Sequence, residues 1–304
     1  LSVTAAGAIS DSGALLIGGT TTVAPGAGNS TTLDVATNNF VGAVSATNGA
    51  NLTLVDANAI DLGATTITGN LSVTAAGAIS DSGALLIGGT TTVAPGAGNS
   101  TTLDVATNNF VGAVSATNGA NLTLVDANGL DLGPVTITGD LAATATLGNI
   151  TNTGGALGIG GNSTFTANAA GASITVNNAG NAFTGTVAFA GAGGLANVTV
   201  VDTTAFDLQA LTLTGNLSVT AAGAISDSGA LLIGGTTTVA PGAGNSTTLD
   251  VATNNFVGAV SATNGANLTL VDANAIDLGA TTITGNLSVT AAGAISDSGA
   301  LLIG

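Results

Sequence analysis

The chain contains no lysine, arginine, histidine, cysteine, methionine, tryptophan or tyrosine, and all 16 of its acidic residues are aspartate. Each absence removes a class of function. Without a single cation there is nothing to meet a phosphate backbone, so nucleic-acid binding is excluded. Without cysteine there is no disulfide framework, and any metal would have to be held by oxygen alone. An outer-membrane barrel would want girdles of tyrosine and tryptophan, which are missing. The longest apolar runs, such as residues 13–19 (GALLIGG), fall far short of the ~18–20 residues a spanning helix needs. The mean hydropathy of +0.60 therefore does not indicate a membrane span.

Catalysis is narrowed in the same way. Serine, threonine and aspartate are the only nucleophiles left, and aspartate is the only general acid or base. A globular chain of 304 residues would carry roughly a quarter charged residues of both signs. Here the charged share is 5%, all negative, for a net charge of −16. A solenoid, which needs only a thin apolar line inside each turn, suits that composition better than one globular core.

What is present is repetition. Residues 1–70 recur as 71–140, changed only near the end, where Gly129, Leu130, Pro134, Val135 and Asp140 stand in place of Ala59, Ile60, Ala64, Thr65 and Asn70. A diverged copy, 141–216, is six residues longer. Residues 217–286 are identical to the first repeat, and a fifth begins at 287 and runs to 304. Both ends fall inside a repeat, so we read one continuous solenoid segment, soluble and exported, of a longer chain.

Within a repeat the apolar residues alternate with polar ones. In residues 51–75, Leu52 and Leu54 flank Thr53, Ile60 and Leu62 flank Asp61, and Leu71 and Val73 flank Ser72. Period two with one apolar face describes strands buried on one side. The 47 glycines and many asparagines supply the corners. No apolar period of 3.6 residues persists, so helix is disfavoured. Residues 20–39, 40–62 and 63–89 read as three coils per repeat, about 23 residues each, the length of a parallel β-helix turn with three short strands. About 13 such coils at ~4.8 Å would make a rod of roughly 60 Å, with equivalent aspartates of adjacent repeats ~14 Å apart. An array of immunoglobulin-like sandwiches is the rival, but it would want longer units and aromatic cores. The diverged repeat supports packing: Phe40 becomes Phe183, Leu52 becomes Val198, Leu54 becomes Val200 and Ile60 becomes Phe206, all still apolar.

The run LSVTAAGAISDSGALLIGGTTTVA and its partner LTLVDANAIDLG resemble the β-strand repeats of filamentous-haemagglutinin-like giant bacterial surface adhesins of the two-partner-secretion type. The resemblance implies a right-handed parallel β-helix at the cell surface, serving as the shaft of an adhesin or filament. Homo-oligomers or fibres through end-to-end or lateral contacts are then expected. The alternative is a binding module whose exposed coil face recognises glycan, a surface or a neighbouring fibre. Phe165 and Phe189 discriminate: exposed in a groove they favour binding, buried they favour a scaffold.

Three candidate chemistries remain. Asp56 and Asp61, with copies Asp126/Asp131, Asp202/Asp207 and Asp272/Asp277, have the look of a paired-carboxylate hydrolase site. This pair alone survives in the diverged repeat, where Asp11 gives way to Asn152 and Asp34 to Thr175. Asp56, Asn58 and Asp61 also offer hard oxygens to Ca²⁺. The plainer reading starts an Asx turn at Asp56 and leaves Asp61 in solvent, with no catalytic, cofactor or metal residue. Asn-x-Ser/Thr triplets begin at Asn29, Asn51 and Asn70, and threonine-rich strands raise an ice-binding face. Their threonines do not recur at one position in every coil.

Overall fold

A computed structural model describes residues 1–304. Its regular elements are all β-strands, 40 of them, and the strand pairs are parallel, each strand stacking on one about a turn earlier. The result is a β-solenoid of about 15 turns, at about 20 residues per turn. Contacts divide it into two compact units, 1–146 with 153–155, and 147–152 with 156–304.

In the first unit the strands stack into two long walls. One wall stacks Ser2–Thr4, Thr21–Ala24, Val44–Gly49, Ile60–Ile67, Ile79–Asp81, Thr101–Leu103, Leu122–Asp126 and Leu141–Ala145. The other stacks Ile9–Ser10, Thr31–Leu33, Leu52–Asp56, Leu71–Ala75, Thr91–Ala94, Val114–Gly119 and Leu130–Ile137. A third side begins with Leu16–Ile17 and Asn39–Phe40, and the first wall divides at Ile60–Ile67: its first half carries Ile79–Asp81, and its second half carries Leu85–Ile87 and then Asn109–Phe110.

This arrangement corrects the coil count. Thr22 stacks on Ser2 and Ser45 on Thr22, steps of 20 and 23 residues. Leu62 then stacks on Val44 after only 18. At this point the chain passes from Leu52–Asp56 directly into Ile60–Ile67, one strand that bends across two sides of the turn. A full repeat thus contributes nine strands, one of them spanning two sides. Ten sides at three per turn make about three and a third turns, and the third has a consequence. Ser2–Thr4 lies on the side that continues through Thr21–Ala24, Val44–Gly49 and Leu85–Ile87, its copy Leu71–Ala75 on the second side, and Leu141–Ala145 on the side of Ile79–Asp81. Equivalent aspartates of adjacent repeats therefore sit on different sides rather than in one line ~14 Å apart. The same side recurs every three repeats, about ten turns or about 48 Å.

The second unit follows the same rule. One wall runs through Ser163–Ala167, Val187–Ala190, Phe206–Leu208, Ile225–Asp227, Thr247–Leu249, Leu268–Asp272 and Leu287–Ala291. Another wall carries Leu217–Ala221, the copy of Leu287–Ala291 one repeat earlier.

The core is the line of inward residues. Leu52, Leu54, Leu71, Val73 and Ile79 are buried, with Thr53 and Ser72 between them only partly covered. Leu71 stacks on Leu52 and Val73 on Leu54, so like side chains form columns along the axis. In the diverged repeat Phe165 and Phe189 are buried and stacked, ring centres 5.8 Å apart, with Phe183 edge-on to Phe165 at 6.0 Å. Both lie in the packed core rather than exposed in a groove.

Close stacking also explains one corner glycine. A Cβ on Gly83, in the turn between Ile79–Asp81 and Leu85–Ile87, would overlap the backbone nitrogen of Ala64 in the turn beneath. Only a residue without a side chain fits there.

Candidate functional site: carboxylates that cap a strand edge

Asn39–Phe40 has a ladder strand only beneath it, because the chain above it turns at residues 57–59. The amide of Phe40 would be buried and unpaired at that step, which backbone groups rarely tolerate. Asp56 repairs it. Strand alternation puts Leu52, Leu54 and Asp56 all inward, and Asp56 is 2% exposed. Its Oδ2 accepts the Phe40 amide at 2.8 Å and its Oδ1 the Asn58 amide at 2.7 Å. Asp126 does the same for Phe110 and Asn128, and Asp272 for Phe256 and Asn274. The Asx turn expected at Asp56 is present, and the same carboxylate caps the strand edge.

A second carboxylate joins successive turns. Asp11 accepts the amides of Asp34 and Val35 and the side-chain amide of Asn38, at 3.1, 3.4 and 2.6 Å. Asn38, fully buried, in turn accepts the Leu15 amide at 2.8 Å. Asp81 with Asn108 and Asp227 with Asn254 repeat the corner. In the diverged repeat Asn181 still accepts the Leu157 amide, and Asn152, in the place of Asp11, accepts the Asn178 amide at 3.4 Å.

The predicted pair does not come together. Asp61 lies between inward Ile60 and Leu62, so it points outward and accepts the Ser82 hydroxyl at 2.7 Å. Asp56 and Asp61 thus occupy opposite sides of the wall. The same separation divides the proposed Ca²⁺ set, in which Asn58 gives its amide to Asp56. Nowhere do three acidic side chains gather around one point. The asparagines of the Asn-x-Ser/Thr triplets are also engaged. Asn51 accepts the Asn70 amide, Asn70 accepts the Thr90 amide, and Asn29 donates to the Gly26 carbonyl.

Burial pushes the carboxyls of Asp81, Asp126 and Asp202 above their ordinary 3.8, against the downward pull of the hydrogen bonds they accept. The folded chain therefore binds protons in a range where the unfolded chain has already lost them. Stability from these groups is fully present below pH 3.8 and falls as pH rises through their raised values. Acidifying from pH 7 to about 4 should raise the thermal midpoint, the reverse of ordinary acid denaturation. A circular-dichroism melt at each pH checks this, and a midpoint that drops on acidification would contradict it.

One groove stands out, in the second unit. It has a volume of about 550 Å³ and is lined by Thr184, Thr186, Asp202, Thr204, Ala205 and Asp207 among others. Sequence reasoning missed both the capping role of Asp56 and this groove. The first was legible from parity, since Asp56 continues the inward series of Leu52 and Leu54. The second was not, because it depends on how the longer repeat packs.

No helix of the chain is long and apolar enough to cross a membrane. A family model described as repeats of unknown function (DUF5649) matches residues 1–47, 49–117, 119–190, 195–263 and 265–304. Three of its boundaries fall on Asn48, Asn118 and Asn264, the three non-glycine residues with positive φ, at 66–67°. Neither the curated proteins nor the solved structures give a match.

Proposed function

The chain belongs to the DUF5649 family of repeats, and from that premise and its own geometry we propose that it is part of the shaft of a bacterial extracellular adhesin or fibre, giving reach and stiffness. The observation that carries this reading is where the chemistry-bearing side chains go. In the regular repeats the inward carboxylates and asparagines at the corners are spent on the backbone of the same or an adjacent turn, as Asp56 is on Phe40 and Asn38 on Leu15. Such bonds stiffen a solenoid and leave those groups unavailable to a substrate. Buried Phe165 and Phe189 speak for the same role.

Self-assembly into filaments has its own support. Leu16 and Val41 are exposed on one side of the first unit, and their copies Leu86 and Val111 on the next side round. The third of a turn per repeat puts the same apolar pair on successive sides, so one copy offers its neighbours matching surfaces on two sides.

Cryo-electron microscopy of the native assembly tests the reading. The expected image is a solenoid with ~4.8 Å stacking and a three-repeat period near 48 Å. Separate globular beads, one per repeat, would overturn it.

A further inference from the structure

We propose that the groove beside Asp202 binds an alkylammonium group, with the buried Asp202 carboxylate as its anchor. The argument starts from a defect in the capping scheme. In the three regular copies each carboxylate oxygen accepts one amide, Oδ2 taking that of the phenylalanine at 2.8 Å. In the longer third repeat the Phe183 amide reaches Oδ1 instead, at 3.4 Å. Oδ1 also accepts the amide and the hydroxyl of Thr204, at 2.9 and 3.0 Å. Three donors crowd one oxygen while Oδ2, buried, has none. Asp202 is 2% exposed and yet lines the groove, so its carboxylate awaits a donor in a largely desolvated place.

The chemistry of the missing donor follows from the surroundings. The chain carries a net charge of −16 and no cationic side chain, so its field concentrates cations and repels anions. Asp207, on the same groove, is already held by Gln209, Ser226 and Ser228. A hard divalent ion would want six to eight oxygens, more than Asp202 and the nearby hydroxyls of Thr184, Thr186 and Thr204 supply. A primary ammonium has three donors and no acceptor, a demand these groups meet. The volume of about 550 Å³ exceeds one ammonium head, leaving room for an alkyl stem along Ala205 and the threonine methyls. With no lysine of its own, the chain must take this group from elsewhere, as a free amine or as the lysine of another protein. The inference does not depend on the shaft reading, which stands or falls on the microscopy.

Amide chemical-shift titration of the whole chain with cadaverine is the test. Saturable shifts are expected at Thr184, Thr186 and Thr204, with affinity about tenfold weaker in Asp202→Asn, equivalent to ~1.4 kcal/mol. Asp126→Asn, in a regular repeat, should bind as the unmodified chain does. Thr184→Val, on the exposed rim, is a second variant should Asp202→Asn fail to fold, and is expected to weaken binding about threefold. Tighter binding of a short lysine peptide than of cadaverine would point to a protein source and the reverse to a free amine, both upholding the site. No saturable shift, equal binding of neutral 1-butanol, equal shifts with Ca²⁺, or unchanged affinity in the variants would each overturn it.

Discussion

Replacing Thr21, Thr31, Thr91, Thr101, Thr237 and Thr247 together with valine should raise the denaturation midpoint, by about 1 kcal/mol per site or about 6 kcal/mol in all. All six point into the core, are at most 1% exposed, and have hydroxyls without a hydrogen-bond partner. Their places are already hydrophobic in the next turn. Val44 stacks on Thr21, Leu52 on Thr31, Val114 on Thr91 and Leu122 on Thr101. Valine keeps the branched shape that suits a strand and removes the desolvated hydroxyl. The gains should add where pairs lie turns apart. Chemical denaturation followed by circular dichroism reads the shift. A lower midpoint would mean that the hydroxyls hold buried water, which valine would expel at a cost.

Removing the cap at the turn after Leu122–Asp126 should act in the opposite direction. Asp126→Ala is expected to destabilise by about 2–5 kcal/mol, since it orphans two amides at once. The Phe110 amide is buried at that step and the Asn128 amide closes the turn. Relief of the desolvated charge, which holds the Asp126 carboxyl above its ordinary value, offsets part of that loss. The exposed Asp104 makes the comparison, with a change within about 0.5 kcal/mol expected for Asp104→Ala. Asp202→Ala should fall between them, because one of its oxygens is idle and its bond to Phe183 is long. Equal midpoints for Asp126→Ala and Asp104→Ala would show that the strand edge needs no cap.

These two expectations rest on different kinds of information. The inward position of Thr21 and Asp56 follows from counting by twos along a strand, because successive side chains must leave a pleated backbone on opposite sides. The repeat length, the absence of helix and the glycine and asparagine corners were likewise legible, each being a property of a few neighbouring residues.

What the sequence by itself determined, then, is the alternation, the turns and the solenoid class. Which strand lies on which was decided only by the tertiary structure. Coils 18 to 24 residues long all place an apolar residue over an apolar residue, so local pattern leaves the turn length open. The choice fell to packing across the whole cross-section, where Ile60–Ile67 bends across two sides as one strand and leaves a third of a turn per repeat. That third of a turn sends identical repeats to different sides, and the turn at residues 57–59 calls for a carboxylate over the strand edge beneath it. In the one longer repeat, the same packing leaves the oxygen of Asp202 without a partner, because the extra residues carry the Phe183 amide away from it.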